Sequence, residues 1–397
     1  MLLARAGHRV TLFERFTEAQ PVGSGLLMQP TGLAVLRELG LAADLCALGA
    51  RIDRLRGRTQ PAGRLVLDVR YAAMGPGRHG LAVHRAALFE MLLQAVTKAG
   101  IAVETGAAIT ALDRGGQRPG LIDERGRRHG RFDLVVNAMG IRSPLSTQTL
   151  RPARVHALGY GALWASLPWP ADGFDPHALE QRYLGASVMA GVLPIGRTAL
   201  NGPLQAAFFW SLKAADYAGF KARGLEAWKS DVLCLWPQTA GLLAGIDSLA
   251  QLTFARYQHH TMAEPFGDRI AHIGDAAHAT SPQLGQGANM ALLDALALSI
   301  ALDRCADLAA ALRGYARLRR WHVRIFQGAS RVFTPFYQSD SRTLPFIRDR
   351  LAAPVSRLPV LDRLLAKLVA GLIVPPLGSA PFAPYLRLAP AADRSGS

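Results

Sequence analysis

The sequence predicts an α/β fold: a helix-flanked parallel sheet, a mixed β-sheet domain inserted into it, and a C-terminal helical region. Three observations carry this. Phe132–Ala138 (FDLVVNA) and Arg269–Gly274 (RIAHIG) are apolar runs that lead into glycine, the pattern of parallel strands buried on both faces. Helices patterned for one buried side and closed by glycine lie around them. Between the two runs the texture changes to aromatic-rich strands, Gly159–Ser166 (GYGALWAS), Ser187–Leu193 and Ala206–Leu212 (AAFFWSL).

The elements follow in order. The chain opens MLLARAGHRVTLFER, in which Met1–Gly7 reads as the end of an apolar helix with Gly7 as its stop. His8–Glu14 alternates as a short strand ending in an acid. Helix, glycine, strand and terminal acid form the back half of a dinucleotide-binding βαβ unit, in which the acid holds ribose hydroxyls. The front half, a strand and a G-x-G-x-x-G turn of about 20 to 25 residues, is absent from the sequence as given. A misassigned start or a fragment explains this, and so does a natural truncation with weakened cofactor binding.

Thr31–Leu39 is a helix closed by Gly40, Arg64–Val69 a strand, and His84–Ala99 a helix stopped by Gly100. Strands are expected at Ala102–Leu112 and Gly120–Asp123, and a helical stretch at Leu225–Leu243 behind the aromatic strands. A long helix follows Gly274, another runs from Leu308 to about Arg331, and a proline-punctuated tail ends the chain. The expected division is 1–152 and 263–305 for the parallel unit, 153–262 for the inserted sheet, and 306–397 for the helical region and tail.

The formal charge of +16, from 45 Lys and Arg against 29 Asp and Glu, invites a nucleic-acid reading. The basic residues are mostly Arg and spread along the chain, without a tract interleaved with aromatics, so nucleic acid is not expected as partner. Arg313–Arg331, the densest stretch, has helical spacing and reads as a solvated face. Cys46, Cys234 and Cys305 are far apart and make neither a disulfide framework nor a zinc site, so a reducing, cytoplasmic compartment is expected. Met1 runs into a helix rather than a signal peptide. Leu364–Leu377 holds Lys367 and two prolines and is too short to span a bilayer. A buried C-terminal helix is the expectation there, with peripheral lipid contact as the alternative. His259-His260 and His278 read as packing or surface histidines rather than metal ligands, and no G-x-S-x-G elbow is present.

The chemistry concentrates in RIAHIGDAAHATSPQLGQGANMALLDALALSIAL, from Arg269 to Leu302. An apolar strand ends in Gly274-Asp275, a turn carries Ser281-Pro282, Gly285 and Gly287, and a long apolar helix begins. This puts a carboxylate and a row of free backbone amides at the carboxyl edge of a parallel sheet. Helix N-termini favour negative charge, and glycines let a planar ligand approach the backbone.

G-D-A-A-H-x-x-x-P-x-x-G-Q-G-x-N, running from Gly274 to Asn289, resembles the second FAD-binding motif of flavin-dependent aromatic-ring hydroxylases, the p-hydroxybenzoate and ubiquinone-biosynthesis hydroxylase group. The resemblance implies a Rossmann-like FAD-binding domain, N-terminally truncated here. It gives Asp275 the ribityl side of FAD and sets Pro282 beside the isoalloxazine ring. The turn through Gly285 and the backbone of Gly287, Ala288 and Asn289 would face the flavin pyrimidine, where charge develops on reduction. Glu14 matches the acid on the adenosine ribose. Arg85, in VHRAALFEML, matches an Arg that contacts FAD, with an ordinary surface Arg as the competing reading. Gly23-Ser24-Gly25 with Gln29-Pro30 resembles the loop beside the flavin. One departure stands out: where the family carries D-G-x-x-S-x-x-R, this chain has Met139 for the Asp and Ser146 for the Arg, which puts nicotinamide nucleotide binding by the usual residues in question.

The resemblance implies that NAD(P)H reduces FAD, that O2 adds to it, and that a flavin C4a-hydroperoxide transfers one oxygen to an aromatic or otherwise apolar small molecule. Tyr160, Trp164, Tyr183, Phe209 and Trp210 are candidates to line the substrate pocket, against ordinary core packing for most of them. No general base is assigned. A halogenase or prenyl reductase on the same scaffold is the rival enzyme reading, although W-x-W-x-I-P is absent. A truncated, non-catalytic flavoprotein is the rival outside enzymes.

Overall fold

The computed structural model describes residues 1–20, 23–352, 354 and 358–386. The parallel unit is present as two separate ladders. Thr11–Phe13 pairs in parallel with Ala102–Glu104, and Val135–Asn137 pairs in parallel with Ile270–His272, to which Phe266–Gly267 adds an antiparallel edge. The opening helix, Leu2–Arg5, ends at Gly7, whose φ of +86° needs a residue without a β-carbon. Leu2 packs against the cluster in which Leu293, Leu296 and Ala297 of the Gly287–Arg304 helix meet Leu312 and Tyr315 of the Leu308–Tyr337 helix.

The larger sheet has seven strands, in the order Thr253–Thr261, Arg154–Pro168, Gln205–Lys213, Val188–Gly196, Ala178–Leu184, Arg54–Thr59 and Leu65–Arg70. All neighbours are antiparallel except Ala178–Leu184 with Arg54–Thr59. The sheet therefore draws a hairpin from before residue 153, across the expected division, because Arg54–Thr59 finds its parallel partner there. Side chains alternate between faces. Leu163, Leu167, Val192, Phe208 and Trp210 point to the face covered by helices at Tyr217–Arg223, Leu225–Leu235 and Ala240–Leu243. Trp164, Tyr183, Met189 and Phe209 point to the other, where Tyr337 of the long helix meets them. Covering both faces explains why AAFFWSL reads as an unbroken apolar run.

Three expected elements differ. The strand expected over 102–112 is two strands in different sheets, because Gly106 at φ +63° turns the chain and Ile109–Asp113 pairs with Gly120–Asp123 instead. The helix expected over 225–243 stops at Leu235, where Trp236 turns extended and Pro237 withholds an amide. The helix from Leu308 continues past Arg331 to Tyr337, with Pro335 inside its last turn. In the tail, Pro359–Val369 is helical and buries Ala366, Leu368 and Val369. No helix of the described residues is long and apolar enough to cross a membrane.

Phe208, fully buried between the sheet and Trp228, is the test of this core. Phe208→Ala is expected to cost about 3–5 kcal/mol, read as a lower midpoint in chemical unfolding. A loss under about 1 kcal/mol would mean that sheet and helices are not packed as one core.

Candidate active site

The site grows from the end of one strand. After Ile270–His272 the chain reverses at Gly274 (φ +59°, ψ −140°), makes one helical turn over Asp275–His278, and a tight turn over Pro282–Leu284. Gly285 closes that turn in the left-handed conformation, and the 18-residue helix Gly287–Arg304 begins. No side chain caps this helix, so the amides of its first turn, at Gly287, Ala288 and Asn289, point outward as hydrogen-bond donors with the positive end of the helix dipole behind them. Asp275 is exposed at its mouth: a β-carbon on Gly287 would stand 4.0 Å from Asp275 Oδ1. Pro282 and Gly287 are exposed on the same rim.

Asn289 behaves differently from its neighbours. Its side chain is fully buried and fully used: Oδ1 accepts from Gln29 N at 2.7 Å, while Nδ2 donates to Leu27 O and Gly285 O, both at 3.0 Å. It ties the turn to the Gly25–Met28 strand, leaving only its backbone for a ligand. That strand pairs with Gly80–His84, which leads directly into Arg85 at the start of the Arg85–Lys98 helix. Arg85 is exposed and lies over Gly23 (φ +106°), where a β-carbon would stand only 3.1 Å from its guanidinium. Thus Asp275, Pro282, Gly285, Gly287, Ala288 and Asn289 form one rim, and Arg85 is joined to it through the Gly25–Met28 and Gly80–His84 pair. Glu14 lies on the other parallel ladder, half-buried, with Oε1 accepting from Phe16 N at 2.9 Å.

The residues fit a flavin at this rim. Gln29 Nε2 is buried without a hydrogen-bond partner among the described residues and stands 3.6 Å from where a Gly285 β-carbon would be. Its carbonyl oxygen is held by the Tyr71 hydroxyl at 2.6 Å, which aims the amide. An unsatisfied donor, an uncapped helix start and two glycines at one place suit the planar, electron-accepting edge of a ring. The turn after Val135–Asn137 keeps its form despite Met139: Ser143 Oγ donates to Asn137 Oδ1 at 3.0 Å, and Gly140 takes φ +75°. Met139 itself is 42% exposed.

Behind the Pro282 turn lies a cavity of about 370 Å³ lined by His156, Tyr160, His259, Thr334 and Gln338. Thr334 also meets Ser281 Oγ at 2.6 Å, which connects the cavity wall to the turn. His259 Nδ1 and Gln338 Oε1 are buried without partners among the described residues. Of the aromatic candidates, Tyr160 lines this cavity, Trp164 packs against Phe209 with the rings tilted and their centres 4.8 Å apart, and Tyr183 packs on Tyr337. Trp210 lies on the opposite face among the helices and is core. Tyr257, unflagged by the sequence, accepts from Trp164 Nε1 at 2.8 Å. Burial pushes its hydroxyl up to about 12 against the opposing pull of the Trp164 bond and Arg85, so it stays protonated.

Sequence reasoning also missed the support beneath the rim. Asp294, fully buried, accepts from Gly274 N at 2.8 Å, from His278 Nε2 at 2.5 Å and from Arg319 Nε at 2.7 Å. His278 is thus a hydrogen-bond partner of Asp294 rather than plain packing, and Arg319 is buried although its neighbours Arg317 and Arg320 face solvent. The available signal was one acid inside an otherwise apolar helix (NMALLDALALSIAL). Burial alone would raise the Asp294 carboxyl, but His278 and Arg319 bring it down to about 2.

Because that value lies below the unfolded 3.8, the pairing stabilises the fold above pH 4 and is lost as pH falls toward 2. His322, driven down to about 3 by burial first and Arg319 next, adds a separate loss that begins as pH falls below 6.5. Asp294→Asn is expected to cost about 3–5 kcal/mol at neutral pH and to flatten the stability profile between pH 4 and 2, measured by unfolding at stepped pH. An unchanged profile would show that Asp294 is not the titrating group.

Comparison with known proteins agrees with this architecture. A family model described as an FAD binding domain matches residues 1–321. A putative FAD-dependent monooxygenase, YetM of Bacillus subtilis, is 26% identical over 324 residues, spanning 80% of this chain and 84% of that protein. A putative 2-heptyl-3-hydroxy-4(1H)-quinolone synthase, AqdB1 of Rhodococcus erythropolis, is 29% identical over 314 residues, spanning 78% of this chain and 77% of that one. The crystal structure of Klebsiella pneumoniae HpxO with FAD and uric acid superposes with a TM-score of 0.75 at 19% identity, covering 93% of this chain and 92% of that one. The chain therefore belongs to the FAD binding domain family, in the company of FAD-dependent monooxygenases.

Proposed function

We propose that the protein is an FAD-dependent monooxygenase that transfers one oxygen atom from O2 to an aromatic or otherwise apolar small molecule, with NAD(P)H as reductant. The observation that carries this is the uncapped start of the Gly287–Arg304 helix, with Asp275 at its mouth and the unsatisfied Gln29 amide beside it. FAD, when bound, supplies the oxygen-activating chemistry. In this reading Asp275 accepts from the ribityl hydroxyls and Glu14 from the adenosine ribose. The amides of Gly287, Ala288 and Asn289 stabilise negative charge at the ring edge. Pro282 flanks the ring, and Arg85 adds positive charge on the cofactor side.

The substrate enters the Tyr160-lined cavity behind Pro282, where His156, His259, Thr334 and Gln338 offer polar groups to hold and orient it. The quinolone synthase among the relatives supports a planar heteroaromatic substrate with apolar substituents. Met139 favours one second reading, a flavoprotein that binds its cofactor without turnover.

The purified chain is expected to be yellow and to release FAD on denaturation. Asp275→Ala is expected to weaken FAD binding about ten- to a hundredfold, read by flavin fluorescence titration. With the cofactor bound, NADH or NADPH oxidation should rise when phenols or quinolones are supplied in air, with oxygenated product by mass spectrometry. FAD binding without substrate-dependent oxidation would select the second reading, and a chain that binds no flavin would sink both.

A further inference from the structure

We infer that the outer side of the Leu308–Tyr337 helix is a docking face for an anionic lipid surface. This 30-residue helix buries Leu312, Tyr315, Arg319, Phe326 and Ser330 against the rest of the molecule. Its other side carries Arg313, Arg317, Arg320, Arg324 and Arg331, all exposed, as one stripe. Beside that stripe, at four- and seven-residue spacing, stand three exposed apolar side chains: Trp321 at 60%, Ile325 at 39% and Val332 at 63%. The helix contains no Asp or Glu from Leu308 to Tyr337, so nothing on it offsets the arginines. The guanidinium carbons of Arg320 and Arg324 lie 5.8 Å and 5.6 Å from the Trp321 ring centre.

Each alternative occupant uses only half of these features. A nucleic acid backbone would take the arginines but leave Ile325 and Val332 facing water. A second copy would set arginine against arginine. An anionic bilayer takes both halves: phosphates accept from the arginines while indole and aliphatic side chains enter the interface. The contact is peripheral and runs along the helix, about 45 Å long.

The full chain is tested by flotation with phosphatidylcholine vesicles, with and without phosphatidylglycerol. It is expected to float only with the anionic vesicles and to be released by raised salt. Arg317→Gln, Arg320→Gln and Arg324→Gln together are expected to weaken binding on the order of a hundredfold, at about tenfold or less per charge. Brominated lipids should quench part of the tryptophan fluorescence, and Trp321→Phe should remove that part while the far-ultraviolet circular dichroism stays unchanged. This second variant keeps the test valid if the triple variant fails to fold. Equal binding to neutral vesicles, no binding to anionic ones, or quenching that survives Trp321→Phe overturns the proposal. Retention on duplex DNA without flotation would overturn it in favour of nucleic acid.

Discussion

A buried carboxylate cannot stay charged unless protein groups replace the water it has lost, and Asp294 does so with three donors, two from the site turn and one from the long helix. One is the amide of Gly274, at the reversal where the strand becomes the site turn. Another is His278, at the end of the short helix that starts with Asp275. The third is Arg319, from the long helix, which itself reaches the carbonyl of Pro376 in the tail. The exposed rim therefore rests on a neutralised ionic centre, and the rim's position follows from satisfying that centre. A chain that lost one partner would keep a desolvated charge, so the turn, the two long helices and the tail are constrained together.

Contiguity decides how much of this could be read beforehand. The stretch from Gly274 to Asn289 was legible because its turn residues, its acid and its helix start are neighbours in sequence, and the structure builds the turn from them. The apolar strands Val135–Asn137 and Ile270–His272 were legible for the same reason. What escaped depends on distant partners. Arg319 looks like its exposed neighbours until the Gly287–Arg304 helix is packed beside it. Trp210 and Phe209 are adjacent in sequence, and only the covering layers decide that one is core between helices and the other faces Trp164. Ala102–Leu112 has strand-like composition throughout, and Gly106 divides it between two sheets because each half has a different neighbour waiting.

The long helix shows how one element can serve two surroundings. Its inner side is chosen residue by residue: Arg319 for an acid, Ser330 and Thr334 for Ser281, Gln327 for the carbonyl of His260. Its outer side is chosen by kind, with five arginines and three apolar side chains, of which Arg331 reaches the Thr261 hydroxyl and Arg320 and Arg324 lie over the Trp321 ring. Interior positions demand geometry because water is excluded, whereas exposed positions express only charge and hydropathy.

Asn289 has a consequence for the life of the chain before it is complete. Its side chain joins Leu27, Gln29 and Gly285, so two of its three ties span about 260 residues of sequence. Contacts of that separation close late, because the loop entropy must be overcome first. On the ribosome the Gly25–Met28 strand is made early and waits, its carbonyl and the Gln29 amide open to water, until residue 289 has emerged. The pocket edge is thus completed only after the Gly287–Arg304 helix has emerged, and the nascent protein can take up a ring-shaped ligand at this edge no earlier.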